Sequence, residues 1–363
     1  MKKLINQIVI AGCFLTLLSC DTLAAAGSDH EAKYYRKLSG GQVRCLLCPR
    51  QCLLDPGDAG YCRARRNLGG KLISLVYGRL VAANDDPIEK KPLYHFLPGT
   101  KSFSIATVGC SMRCLFCQNW DISQAEPEDF ATGYTEPGRV VSAAVGKNCL
   151  SVSYTYSEPA VFYEYMQDIS LLARKSGLKN VMVTSGHINT GPLDSLCAVL
   201  DAANVDLKGF SDASYRRMAN TELAPILKAV MVLKRKGVWL ELGYLVIPTV
   251  NDSKEEITNF CHWIADSLGP DVPLHFLRFF PQHKLAHLPP TPPAALDTAY
   301  ALARRAGLHY VYIGNVPGHP ANQTYCHRCG RRLIERKGYF IERNLVKDGR
   351  CPFCRQRIPG IWR

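Results

Sequence analysis

The feature that most constrains this chain is an alternation that begins near residue 102 and runs to about residue 313. Short apolar runs rich in β-formers trade places with stretches of helical periodicity. The pattern predicts strands over 102–108, 150–156, 181–184, 204–207, 238–247, 274–280 and 309–313, with helices over 160–176, 193–203, 223–236, 257–268 and 296–306. Gly177 and Gly237 follow helical stretches, where a residue is wanted that tolerates a left-handed turn. Asp252 and Ser253, with Glu255 and Glu256 behind them, read as a helix start. Strands that alternate with helices require a parallel sheet with the helices outside it. At 363 residues the chain suits one large domain with small appendages. The expected fold class is α/β, a full or partial (βα) barrel, flanked by small cysteine-rich modules at both ends.

Barrels of this kind place function at the C-terminal ends of their strands. The chemistry-bearing residues of this sequence obey that rule. Cys110, Cys114 and Cys117 follow the first predicted strand, Ser157-Glu158-Pro159 the second, and Ser185-Gly186-His187 the third, while Asp206-Leu207-Lys208 ends the fourth. Sixteen cysteines are present, mostly in tight groups: Cys45/Cys48/Cys52/Cys62, Cys110/Cys114/Cys117 and Cys326/Cys329/Cys351/Cys354. Close C-x2-C pairs chelate better than they staple distant segments, so these groups read as metal ligands and not as disulfides. Cys149, Cys197 and Cys261 lie in apolar stretches and read as buried small hydrophobes. The four-cysteine sets suit zinc or an auxiliary iron–sulfur cluster, and the C-terminal pair of C-x2-C motifs has ribbon spacing. The middle group has only three thiols, which leaves one iron of a [4Fe–4S] cube open. A bidentate amino acid, bound through its amine and carboxylate, fits that position.

C-x3-C-x2-C with Phe116 before its last cysteine resembles the signature of the radical SAM superfamily. The resemblance implies a [4Fe–4S] cluster held by Cys110, Cys114 and Cys117, with S-adenosylmethionine (SAM) on the fourth iron. It implies reductive cleavage of SAM, a 5′-deoxyadenosyl radical and hydrogen abstraction from a substrate, with the cofactor carrying the hard chemistry. Tyr156-Ser157-Glu158-Pro159 and Asp206-Leu207-Lys208 are similar to stretches of the glycyl-radical-enzyme activases, such as pyruvate formate-lyase activating enzyme. That similarity implies Glu158 for the SAM ammonium, Asp206 for a ribose hydroxyl and Lys208 for the carboxylate. Two departures stand out: the glycines of the activase motif are replaced, and Phe280 stands where those enzymes carry a ribose-contacting histidine, with His275 and His283 nearby. DPIEKKPLYHF (86–96), Cys117-Gln118-Asn119-Trp120 and Tyr312-Ile313-Gly314-Asn315 resemble the radical SAM component of the AmmeMemoRadiSam system over nearly the whole chain. This implies MEMO-like and AMMECR1-like partners and an electron donor such as a flavodoxin or ferredoxin.

The domain organisation expected is a signal-like leader and linker over 1–30, an N-terminal cysteine-rich module over 31–100, the barrel over 101–317 and a zinc-ribbon-like module over 318–363. The formal net charge of +13 is scattered, with no basic face interleaved with stacking aromatics, so nucleic acid is not an expected partner. A non-catalytic metal-binding adaptor is the reading from another class, and an activase is the nearer alternative. His95, His187, His275 and His283 are expected to be packed or solvated, without a catalytic role. A basic start, an apolar run and Leu17-Leu18-Ser19-Cys20 form a lipoprotein-like leader. Reduced metal–thiolate chemistry points instead to the cytoplasm, the expected location, with a membrane anchor through Cys20 as the alternative.

Overall fold

A computed structural model describes residues 30–363, so the leader and Cys20 lie outside the described residues. The central sheet has eight strands in sequential order: β1 (Ala82–Pro87), β2 (Lys101–Ala106), β3 (Ser151–Tyr154), β4 (Lys179–Thr184), β5 (Ala202–Leu207), β6 (Trp239–Val246), β7 (Leu274–Arg278) and β8 (Val311–Gly314). Strands β2 to β8 run parallel, β1 pairs antiparallel with β2, and β1 and β8 are the two ends of the order. The barrel is therefore partial. Helices α1 (Pro137–Gly146), α2 (Tyr163–Lys175), α3 (Thr190–Cys197), α4 (Asp212–Ala219), α5 (Leu223–Arg235), α6 (Lys254–Ser267) and α7 (Pro293–Arg305) provide the crossovers. Ser253 caps α6 by accepting from the Glu256 N–H (3.1 Å), as its sequence position predicts. Cys149, Cys197 and Cys261 are buried, also as expected.

Three local readings differ. The helix expected over 193–203 ends at Cys197, because Asp201 is drawn away to accept from the Asn180 N–H (2.9 Å) and Ala202 already belongs to β5. Helix α4 has no expected counterpart, since its exposed face is polar and charged. Strand β1 also escaped the periodicity, because its sequence is AANDDP and most of it is partly solvated.

The stretch after β1 closes the N-terminal end of the barrel. Ile88, Leu93, Phe96 and Leu97 pack against Val181 and Ala202, near the starts of β4 and β5. Glu241 of β6, fully buried, accepts from the Tyr94 N–H (2.9 Å), the His95 N–H (2.8 Å), Trp239 Nε1 (3.0 Å) and His275 Nε2 (2.7 Å). Burial alone would raise its pKa; His275 and the other partners hold it below the ordinary carboxylate range.

Both cysteine-rich segments pack onto this frame. Val43, Leu47, Leu54, Ala64 and Leu72 join the main core. At the other end Cys326, Leu333, Ile334 and Cys351 share a core with Tyr94, Tyr310 and Tyr312. Ile361 bonds to both Leu97 and His95, and His95 Nδ1–H donates to the Pro359 carbonyl (2.6 Å). No helix among the described residues is long and apolar enough to cross a membrane.

His95 generates a pH prediction. Burial pushes its pKa down to about 4 from 6.5, so the unfolded chain takes up a proton before the folded chain does. Stability should be complete above pH 6.5 and should fall as pH drops toward 4. At about 1.4 kcal/mol per unit the loss reaches about 3 kcal/mol. Urea midpoints between pH 7 and 4.5 should carry this contribution, to which His187, pushed down to about 3 by burial, adds and which Glu89, raised to about 7 by burial, opposes; His95→Gln should shift the slope by the His95 share alone.

Candidate active site at the strand ends

Between β2 and α1 the chain forms the three-cysteine loop. Its backbone is pinned from several sides: Gly109 N–H bonds to Ile122 O (3.0 Å), Leu115 N–H to Met218 O (2.9 Å) and Lys284 N–H to Leu115 O (2.9 Å). Met112 and Phe116 are buried beneath it. Gly109 holds a left-handed φ of 100°, and a Cβ there would lie 2.7 Å from the Cys62 carbonyl oxygen. The loop thereby carries Cys110, Cys114 and Cys117 into one cavity of 460 Å³ that also reaches Glu158, Asp206 and Lys208. All six residues picked from the sequence as the cluster and SAM site thus meet in one place. Burial, then the facing Glu158, pushes the Cys110 thiol well up; burial also takes Cys114 to about 12, against the opposing pull of Lys208. Metal binding must displace these protons.

The second strand end is strained. Tyr156 replaces a glycine of the activase motif, yet keeps a left-handed φ of 65°. Such a backbone costs a non-glycine residue about 1 kcal/mol or more. Its ring is held in compensation: the hydroxyl donates to Asp86, and Lys91 Nζ lies 4.5 Å from the ring centroid. The Tyr156 carbonyl accepts from Asn119 Nδ2 (2.9 Å), which ties this turn to the residues after Cys117. Glu158, buried, accepts from Thr184 Oγ1 (2.6 Å), Ala160 N (3.2 Å), Ser185 N (2.9 Å) and Ser185 Oγ (2.6 Å). Its carboxylate joins the ends of β3 and β4, a job the sequence did not reveal.

At the end of β5, Asp206 forms an ion pair with Lys208, the residue just beyond the strand. Burial works against the lysine's charge, but Asp206 and Cys114 hold its pKa above the ordinary value. Asp206 Oδ1 is buried without a partner. Gly243 sits opposite on β6, and a Cβ there would stand 3.1 Å from that oxygen. The cradle therefore leaves a buried acceptor unpartnered beside a position where only glycine leaves room. His275 lines the cavity but is bound to Glu241, Phe280 is exposed, and His283 stacks on Trp120 at 5.3 Å. His187 bridges Ser111 Oγ (2.8 Å) and Thr221 Oγ1 (2.9 Å). Glu89, Lys91 and Tyr339 complete the walls. Sequence reasoning missed these three as site residues; the DPIEKKPLYHF stretch carried the first two but gave no sign of where it folds.

The other cysteine sets are separate from this cavity. Cys326, Cys329, Cys351 and Cys354 bring their sulfurs within 4.8 Å of one another, with Cys326–Cys354 at 3.6 Å and Cys329–Cys351 at 3.7 Å. A tetrahedral ion with metal–sulfur bonds of about 2.3 Å sets its sulfurs about 3.8 Å apart. The geometry fits one such ion. Cys45, Cys48, Cys52 and Cys62 line a second, apolar cavity against Ser111 and Val161.

The family described as the Radical SAM superfamily matches residues 104–261. The chain is 43% identical to an uncharacterized protein (MJ0808) of Methanocaldococcus jannaschii, over 90% of this chain and 98% of that one. It is 24% identical to the pyruvate formate-lyase 1-activating enzyme of Escherichia coli, over 49% of this chain and 72% of the enzyme. Among solved structures, SuiB of Streptococcus suis bound to S-adenosylmethionine aligns with a TM-score of 0.47 and 10% identity, covering 66% of this chain and 56% of SuiB.

Because Tyr339 belongs to the C-terminal module and lines the cavity, damage to the module should reach the site. Cys351→Ser should remove one metal ion per chain, lower the thermal midpoint by several degrees and disturb the cavity wall. Metal analysis and thermal unfolding check the first two; accessibility of Cys117 to a thiol reagent checks the third.

Proposed function

This chain belongs to the radical SAM superfamily, and from that premise we propose that it cleaves S-adenosylmethionine reductively and abstracts hydrogen from a substrate yet to be identified. One observation carries the reading. Among the described residues three cysteines, and no fourth, line a cavity with Asp206, whose Oδ1 is buried and unpartnered, and with the partly buried Lys208. When bound, a [4Fe–4S] cluster and SAM supply electron transfer and the 5′-deoxyadenosyl radical.

The chain's own residues do the rest. Cys110, Cys114 and Cys117 would hold the cluster through their thiolates, the open iron being left for SAM. Lys208 faces a carboxylate, and Asp206 Oδ1 accepts from a ribose hydroxyl. Phe116 supplies apolar surface beside the adenine. Glu158 already has four donors, about the capacity of a carboxylate. It serves an ammonium group by exchange, and the rotatable Ser185 hydroxyl is the donor that can yield.

In the finer reading this is the radical SAM component of the AmmeMemoRadiSam system, with MEMO-like and AMMECR1-like partners and a flavodoxin or ferredoxin as electron donor. The need for SAM and a strong reductant favours a cytoplasmic site of action. Activation of a glycyl radical enzyme is the second reading, supported by the similarity to the Escherichia coli activating enzyme.

Anaerobically reconstituted protein should show a reduced paramagnetic signal that changes on adding SAM, and dithionite should drive 5′-deoxyadenosine formation. Replacing Cys110, Cys114 and Cys117 by Ala should abolish both. Lys208→Ala should weaken SAM binding by about 1.5–3 kcal/mol, the value of a charge-assisted hydrogen bond, while leaving cluster iron in place. SAM cleavage that survives the triple change would refute the proposal.

A further inference from the structure

The N-terminal set Cys45, Cys48, Cys52 and Cys62 is unexplained by this reading. We infer that it holds a second iron–sulfur cluster, packed directly behind the loop that carries the first.

Three observations lead there. First, all four cysteines line one cavity, together with Arg65, Ser111 and Val161. Besides the four thiols the lining holds apolar side chains and two arginines, Arg50 and Arg65. Second, the sulfur spacing separates the three sets. Among the described residues, the C-terminal set has its sulfurs within 4.8 Å of one another, which suits a single ion. The N-terminal set does not meet that spacing, and neither does the Cys110 set. A cube with iron at its corners spreads its thiolates wider than one tetrahedral ion can. The N-terminal set, like the Cys110 set, is thus not drawn together as a single ion requires.

The third observation is charge. Arg65 is 1% exposed. It spends one terminal nitrogen on Glu164 (2.6 and 2.9 Å) and the other on the Lys33 carbonyl (3.2 Å), while its Nε is buried with no partner. An orphan N–H beside four thiols has a natural acceptor in a cluster sulfur. Four thiolates around a cube carry net negative charge, and the Arg65 cation lies against it. Arg50, from the same cavity wall, donates from Nε to the Ser111 carbonyl (2.7 Å), next to Cys110.

The two sites touch through the backbone. The tight approach of Gly109 to the Cys62 carbonyl places a ligand of one centre beside the residue preceding a ligand of the other. A side chain at 109 would push the two apart.

The test uses the full chain, reconstituted anaerobically with iron and sulfide. Wild type should hold about eight iron and eight sulfide, for two [4Fe–4S] clusters. The Cys110→Ala/Cys114→Ala/Cys117→Ala variant should keep about half of each and a reduced paramagnetic signal indifferent to SAM. In the converse variant, Cys48→Ser with Cys52→Ser, half the iron should go while the SAM-sensitive signal stays. If either variant fails to fold, the other decides. Zinc in place of iron and sulfide in the triple variant, or no loss of iron in the converse one, would overturn the inference. Failure of the functional reading would look different: a wild-type signal that ignores SAM, with the iron of the triple variant still present.

Discussion

Glu241 lies at the floor of the barrel with no contact with solvent, and its two oxygens accept from four donors. A buried carboxylate so supplied is tolerable; one deprived of a partner would cost several kcal/mol. The arrangement is therefore close to all or nothing. Two of the donors are backbone N–H groups of Tyr94 and His95, so the charge fixes the path of the closing stretch. Its other donors come from β6 and β7, so the same charge fixes that stretch to the sheet. His95 then passes the constraint on, to Tyr312 of β8 and to the Pro359 carbonyl of the C-terminal tail. The closing stretch is thereby tied to β8 and to the C-terminal tail as well as to Glu241.

The upper end runs on the opposite principle. Below, both oxygens of Glu241 are filled, although Glu89 Oε2 is buried without a partner; above, Asp206 Oδ1 is left empty, with Gly243 making the space. An unpaired buried oxygen is a cost to folding that a ligand hydroxyl can relieve. Cys110 and Cys114 likewise carry a folding geometry that disfavours their ionised form until a metal takes the proton's place. The floor makes the fold, and the unsatisfied groups at the strand ends make the site.

Much of this was legible in the sequence, for identifiable reasons. The parallel strands are buried on both faces and read as apolar runs; the cysteines are close in sequence because one loop must wrap one cube corner. Glu158, Asp206 and Lys208 were legible because strand ends are where a barrel keeps its chemistry. What failed was set by tertiary contact. The end of α3 depends on Asp201 reaching Asn180, and β1 is polar because Asp86 must meet Lys91 and Tyr156. That Glu158 joins two strands, and that Tyr339 from the far end of the chain walls the cavity, needed the fold itself.

Tyr156 shows how the two kinds of information combine. Compared with the activase motif, the tyrosine looked like a loss, since glycine is the residue that enters a left-handed turn freely. The backbone keeps the turn, so the requirement belongs to the site and not to the residue type. What changes is where the cost is met. Asp86 takes the hydroxyl and Lys91 faces the ring, and burial lowers the Lys91 pKa to about 8 despite its ion pair with Asp86. Its own ring, an acid from β1 and a base from the closing stretch thus do locally what a missing side chain does elsewhere. The consequence is that the turn carrying Glu158 is coupled to residues 86–91, and through them to the floor held by Glu241. Tyr156 thus adds a second link between floor and site to the one made by His275, which bonds to Glu241 and lines the cavity.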